Sequence, residues 1–251
     1  MKYSKFFTFT IFCLALLLSG CKPYAHLSQA HFERYNVAET EIEGDEVKAI
    51  NDIIEPYRIE EEREMNTVIA TVPTIMTRQN VESTIGNWVA DAMDEYIETN
   101  TGETMDLSIC NYFGIRITRL AAGDLKVGQI YELMPFDNYL VTMEIDGSTL
   151  LQLLEVIASN DGWPVSKQLS MTIADGQIQS ATLNGQAIDE GRNYRIGLSD
   201  YLANGGSNLS FLKDLPYNNT GVYLRDAFIE IAKKHGVVSA ELEGRIKKVN
   251  P

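Results

Sequence analysis

Three polar clusters interrupt apolar sequence in this 251-residue chain. "SICNYFGIR" (108–116) ends an apolar run by offering an amide, Asn111, and a guanidinium, Arg116, around two bulky aromatics. "LMPFDN" (133–138) sets Phe136 beside Asn138. "SDYLANGGSN" (199–208) joins Tyr201 to Gly205, Gly206 and Ser207. Each cluster pairs an aromatic with an amide or a charge at a turn. Amides both donate and accept hydrogen bonds, and a guanidinium makes charge-assisted contacts with anions. That is the chemistry of holding a ligand. Proton transfer and nucleophilic attack find no comparable support. His26, His31 and His235 are scattered, and no HxxxH, HExxH, CxxC or Asp-x-His occurs. A hydrolytic metal site built on imidazoles is therefore not expected. Asp200 has no histidine or metal partner in sequence, and Cys110, at the end of an apolar run, reads as a small core residue.

The elements that position these clusters start after a leader. Lys2 and Lys5 precede a largely apolar run from Phe6 to Leu18, then Ser19, Gly20 and Cys21. That pattern reads as a secretory signal, too short for a membrane span. Its last four residues resemble a bacterial lipobox, which implies cleavage before Cys21 and lipid on that residue. The expected organisation is a signal peptide over 1–20, a tether over 21–45 and one folded domain over 46–251. The expected location is the bacterial cell envelope, lipid-anchored. The net charge of −14, densest between Glu39 and Glu64, argues against nucleic-acid polymers and anionic lipid as partners. It leaves room for a small anion held by one or two arginines.

From Asp45, apolar residues recur at helical spacing, with Pro56 expected to kink or divide the helix. "TVIATVPTIM" reads as a strand or strand pair. "ESTIGNWVADAMDEYIET" reads as a buried helix capped by Ser83 or Thr84. "MDLSIC" is a short buried strand. "GDLKVGQIYELMPF" is a turn, then a helix or strand. "NYLVTMEIDG" is a strand, followed by a helix capped by Ser148 or Thr149. Asp175-Gly176 and Asn184-Gly185 signal hairpins. A helix ends at Gly236, and "EGRIKKVN" closes as a strand. About four helices and at least about eight short strands point to an α+β domain with mixed sheets.

Four motifs in order resemble the C-terminal domain of 5'-nucleotidases over roughly residues 46–250. "GNWVADAM" (86–93) is similar to Gly-Asn-x-x-x-Asp-Ala-Met and "NYFGIR" to Asn-x-Gly-Gly-Ile-Arg. "PFDN" is similar to Pro-Phe-x-Asn and "YLANGGSN" to aromatic-x-Ala-x-Gly-Gly-Asp-Gly. The resemblance implies a layered α/β/β/α sandwich with mixed sheets. It implies that Phe136 and Tyr201 sandwich a nucleobase, that Asn138 orients it, and that Asn111 and Arg116 face ribose and phosphate. Gly205 and Gly206 would allow close approach beside the sugar, with Ser207 where the family carries aspartate. Phe113 replaces the first glycine of one pair, Tyr112 precedes it, and Asn208 replaces another glycine. Gln79 stands where the family carries arginine, with Arg78 one place away. In the family a separate metallophosphatase domain holds two metals and does the chemistry, and none of its motifs occurs here. The expected function is the nucleotide- or nucleoside-recognising half of a 5'-nucleotidase-type phosphohydrolase. It would act with a separately encoded metallophosphatase, would itself carry no cofactor, and would leave divalent metals to that partner. The alternative is a non-catalytic binding or scaffold lipoprotein that keeps the fold without the pocket.

Overall fold

The computed structural model describes residues 45–249. The expected signal peptide, the lipid-bearing Cys21 and nearly all of the tether lie outside the described residues. The first described element is helix α1 (Asp45–Met65), which runs through Pro56 without a break. Proline there removes one backbone donor, but most of the helix is exposed, so water can satisfy the freed carbonyl. Arg58 pairs with Glu55 and Glu62, and Arg63 with Glu60, which adds support on the C-terminal side of the proline. The helix is not divided at Pro56.

The remaining elements follow in chain order. Strands β1 (Val68–Val72) and β2 (Met76–Thr77) lead to α2 (Thr84–Thr101) and β3 (Leu107–Ser108). Next come β4 (Arg119–Leu120), β5 (Gly123–Lys126), α3 (Val127–Leu133), β6 (Tyr139–Asp146) and α4 (Gly147–Ser159). Then come β7 (Leu169–Ala174), β8 (Gln177–Leu183), β9 (Gln186–Ala187), β10 (Asn193–Ser199) and α5 (Asp200–Ala203). The chain closes with β11 (Tyr217–Tyr223), α6 (Leu224–His235) and β12 (Ile246–Lys248).

Two four-stranded sheets dominate, in the orders β11-β6-β10-β3 and β12-β7-β8-β9. Each contains one parallel pair, β10 with β3 and β12 with β7, so both are mixed. The architecture is α+β, as the sequence implied. Alternation along β6 separates two cores. Leu140 packs into one with Trp88, Met93 and Phe228 of helices α2 and α6. Val141, Met143 and Ile145 pack into the other with α4 and the second sheet. Both expected hairpins are present. Asp175 and Asn184 take φ of 50°, each followed by a glycine at positive φ, as type I′ corners require.

Register decides where the polar clusters meet. Strand β6 runs antiparallel to β10 and β11, with Ser199 opposite Leu140 and Tyr223 opposite Tyr139. Strand β3 runs parallel to β10. The start of β6 therefore lies at the same sheet end as the finish of β10, β11 and β3. Loops 109–118, 134–138 and 204–216 and the start of α6 gather at that end.

The closing strand is locked by Arg245, whose side chain is only 4% exposed. It donates to both Asp91 oxygens at 2.8 and 2.6 Å, to Glu243 at 2.8 Å and to the Val165 carbonyl at 2.8 Å. A buried guanidinium is tolerated because its donors are satisfied. Asn87 donates to Glu82 and to the Glu241 carbonyl, both at 2.8 Å. The polar residues of "GNWVADAM" thus hold the C-terminal segment on α2.

Candidate functional site

Asn111, Phe113, Gly114, Arg116, Phe136, Asn138 and Tyr201 line one pocket of about 270 Å³. Five of the eight residues singled out from sequence are among them. Ser207 lines an adjoining depression instead, while Gly205 and Gly206 line neither.

The first loop is a 3₁₀ turn, Tyr112–Gly114, entered at Asn111. Ile115 is fully buried in the core. The Arg116 amide donates to the Leu133 carbonyl at 2.9 Å, which ties this loop to the end of α3. Gly114 is buried, and a Cβ there would fall 2.9 Å from Asn111 Oδ1 and 3.0 Å from Cys110 Sγ. A side chain at 114 would therefore push the Asn111 amide aside. Burial raises the Cys110 thiol to about 12, so it stays protonated and inert at neutral pH.

The bulky residues of this loop part company. Tyr112 turns away from the pocket, and its ring lies under the Arg78 guanidinium, 4.6 Å from carbon to centroid. Arg78 also donates to the Ile115 carbonyl. It braces the loop from beneath and does not reach the pocket. Phe113 is 68% exposed and stands at the rim. Arg116 is exposed, with its guanidinium 5.2 Å from the Phe136 centroid and a long 3.5 Å bond to the Phe113 carbonyl. An exposed contact of this kind contributes about 0.5–1 kcal/mol. A stacked base contributes about 1–3 kcal/mol, so Arg116 does not close the pocket to a planar ligand.

The second loop carries Phe136, which rests partly buried against the first core. The Asn138 carbonyl accepts from the Leu224 amide at 2.9 Å. Arg225 donates to the Phe136 carbonyl at 3.3 Å and pairs with Asp137 at 2.6 Å. Its guanidinium sits 4.9 Å from the ring centres of both Tyr131 and Tyr223. Asp200, on the third loop, accepts from the Tyr139 amide at 3.1 Å. Arg225 and this structural use of Asp200 were not found from sequence. The available signal was a lone arginine at the start of the amphipathic "LRDAFIEIA" helix.

Tyr201 stands in the first turn of α5, which Ser199 caps by accepting from the Leu202 amide at 3.2 Å. Its ring lies flat on Gly206, where a Cβ would fall 2.5 Å from Cε1 and 2.6 Å from Cε2. Its hydroxyl accepts from the Ser207 amide at 3.2 Å. Gly206, rather than the glycine pair, therefore seats the tyrosine ring, a contact the family roles did not include. Among the described residues no group of three or more His, Cys, Asp or Glu side chains could hold a metal.

An α+β scaffold that gathers rings, amides and a guanidinium at one sheet end defines the class of fold. The model of the family described as 5'-nucleotidase, C-terminal domain matches residues 66–214, and the chain belongs to that family. An apyrase of Tabanus yao is 26% identical over 246 residues, covering 85% of this chain and 44% of that protein. A 5'-nucleotidase of Vibrio cholerae serotype O1 is 27% identical over 121 residues, covering 46% of this chain and 22% of that protein. The crystal structure of a 5'-nucleotidase precursor from Thermus thermophilus superposes with a TM-score of 0.70 at 26% identity, covering 81% of this chain and 44% of that one. The chain thus spans less than half the length of each.

Proposed function

We propose that this protein is the nucleoside- or nucleotide-recognising half of a 5'-nucleotidase-type phosphohydrolase. A separately encoded metallophosphatase would supply the metals and the hydrolytic step. The observation that carries the reading is the convergence of Phe136, Tyr201, Asn111, Asn138 and Arg116 on one pocket. Two aromatic rings suit the faces of a planar base, two amides suit its edge, and an exposed guanidinium suits an anionic group. The leader sequence supports a lipid-anchored location in the bacterial cell envelope, where such a pair would act on extracytoplasmic nucleotides. The scaffold alternative gains nothing from Tyr112, which lies outside this pocket.

The experiment is AMP hydrolysis with divalent metal, using the purified chain alone and mixed with a secreted metallophosphatase that lacks this domain. The reading expects no turnover alone, and a lower KM for the partner when the chain is added. Robust turnover by the chain alone would overturn the division of labour. An unchanged partner would remove the assisting role.

A further inference from the structure

A second depression of about 310 Å³ adjoins the first and shares Asn111 and Phe113 with it. Asn80, Asn160 and Asn208 add three more amides to its walls, and Ser207 adds a hydroxyl. Phe113, 68% exposed, and the half-buried Tyr112 add aromatic surface, and the buried Trp163 lies against the depression. No acidic or basic side chain lines it. Asn160 is engaged by the Val156 carbonyl at 2.8 Å. The side chains of Asn80, Asn111 and Asn208 make no hydrogen bond to other described residues.

Backbone strain gathers around this depression. Six non-glycine residues among those described have positive φ. Asp175 and Asn184 are the hairpin corners. The other four are Val81 (71°), Asp161 (56°), Ser207 (53°) and Asn208 (69°). Two of these are wall residues, and two directly follow the wall residues Asn80 and Asn160. Val81 is β-branched, the type that tolerates this region least. It is held there by a 2.8 Å bond from its amide to the Asp161 carbonyl. Strained backbone of this kind persists where surrounding structure enforces it, and it clusters at ligand sites.

The wall chemistry narrows the occupant. A phosphate or carboxylate would find no counter-charge. A wholly apolar group would leave the amides without partners. An uncharged group with many hydroxyls and a flat C–H face would satisfy both the amides and the rings. We propose that this depression is a carbohydrate subsite taking a neutral glycosyl unit of pyranose size. The assignment concerns the second depression alone and does not require a nucleoside in the first.

The test uses the second of the two tryptophans as reporter. Trp163 lines the depression, whereas Trp88 lies at a different one. The Trp88→Phe protein is titrated with glucose, galactose, mannose, N-acetylglucosamine and ribose while Trp163 fluorescence is followed. Saturation-transfer NMR on the unmodified protein gives the same reading without substitution. The expected result is a saturable response to at least one pyranose, weakened by about tenfold or more in Asn80→Leu. Phe136→Ala, at a residue that lines the first pocket and not the second, should leave it intact. Asn80 is exposed, so its replacement leaves the core untouched. No saturable response to any pyranose, a response confined to ribose, or one that Asn80→Leu leaves unchanged would overturn the proposal.

Discussion

Asp200 Oδ1 accepts a hydrogen bond from the Tyr139 amide at 3.1 Å, and this bond joins the two loops that carry Phe136 and Tyr201. Asp200 directly precedes Tyr201, and Tyr139 lies three residues after Phe136. A side chain outside the pocket lining therefore helps to hold the two ring-bearing segments together. Asp200→Ala leaves the Tyr139 amide without this partner, a loss of about 1.5–3 kcal/mol for a bond to a charged group. Nucleoside affinity should fall about tenfold, while Asp200→Asn, which keeps an acceptor oxygen, retains most of it. Calorimetry on the two variants checks this.

Arg225 supports the Phe136 loop through its rings and carbonyl more than through its ion pair. Asp137 is 72% exposed, and a solvated pair contributes about 0–1 kcal/mol. Arg225 is 13% exposed and lies between Tyr131 and Tyr223, where a desolvated cation–π contact contributes about 2 kcal/mol. Thermal unfolding should show Arg225→Ala less stable by about 2–3 kcal/mol. Asp137→Ala should stay within about 0.5 kcal/mol of the parent.

Gly206 gives room to the Tyr201 ring. Gly206→Ala forces that ring out of place, an overpacking loss of about 1–3 kcal/mol. Combined with Tyr201→Ala, most of that loss should vanish, because the group it collides with is gone. Denaturant unfolding of the single and double variants measures the coupling. Simple additivity would show that the ring does not rest on Gly206.

Stability should also depend on pH through Glu82. Burial pushes its carboxyl up, but hydrogen bonds from the Asn87 amide and from the Glu243 and Gly244 backbone outweigh this and hold it below the ordinary glutamate range. A depressed folded-state value stabilises fully above the unfolded value of about 4.3. The contribution is lost as pH falls through the lower folded value. Melting temperature should drop more steeply between about pH 5 and about pH 3 in the parent than in Glu82→Gln. Parallel slopes would contradict this.

Features written in a few adjacent residues were legible in the sequence, and features made by distant pairing were not. Ser83 caps α2 by accepting from the Gly86 amide at 3.1 Å, and Gly102 and Gly236 close α2 and α6 in the left-handed region. The cap of the helix after β6 falls two or three residues earlier than expected. Asp146 is its cap and accepts from the Thr149 amide at 2.7 Å, because β6 runs directly into the helix with no intervening turn. Residues 68–77 do form two strands, but β1 pairs with β5 and β2 with β4, partners that local sequence cannot name. At the site, Phe136 and Tyr201 were visible because they sit inside motifs. Arg225 and Arg78 act on loops about 90 and 37 residues away in sequence, and only the fold brings them there.

Calorimetry with adenosine tests the central claim most directly. The parent protein should bind it, with Phe136→Ala and Tyr201→Ala each losing about 1–3 kcal/mol of stacking and keeping the parent's far-UV spectrum. No binding at millimolar adenosine, or binding that neither substitution weakens, would contradict a nucleoside grip between these two rings.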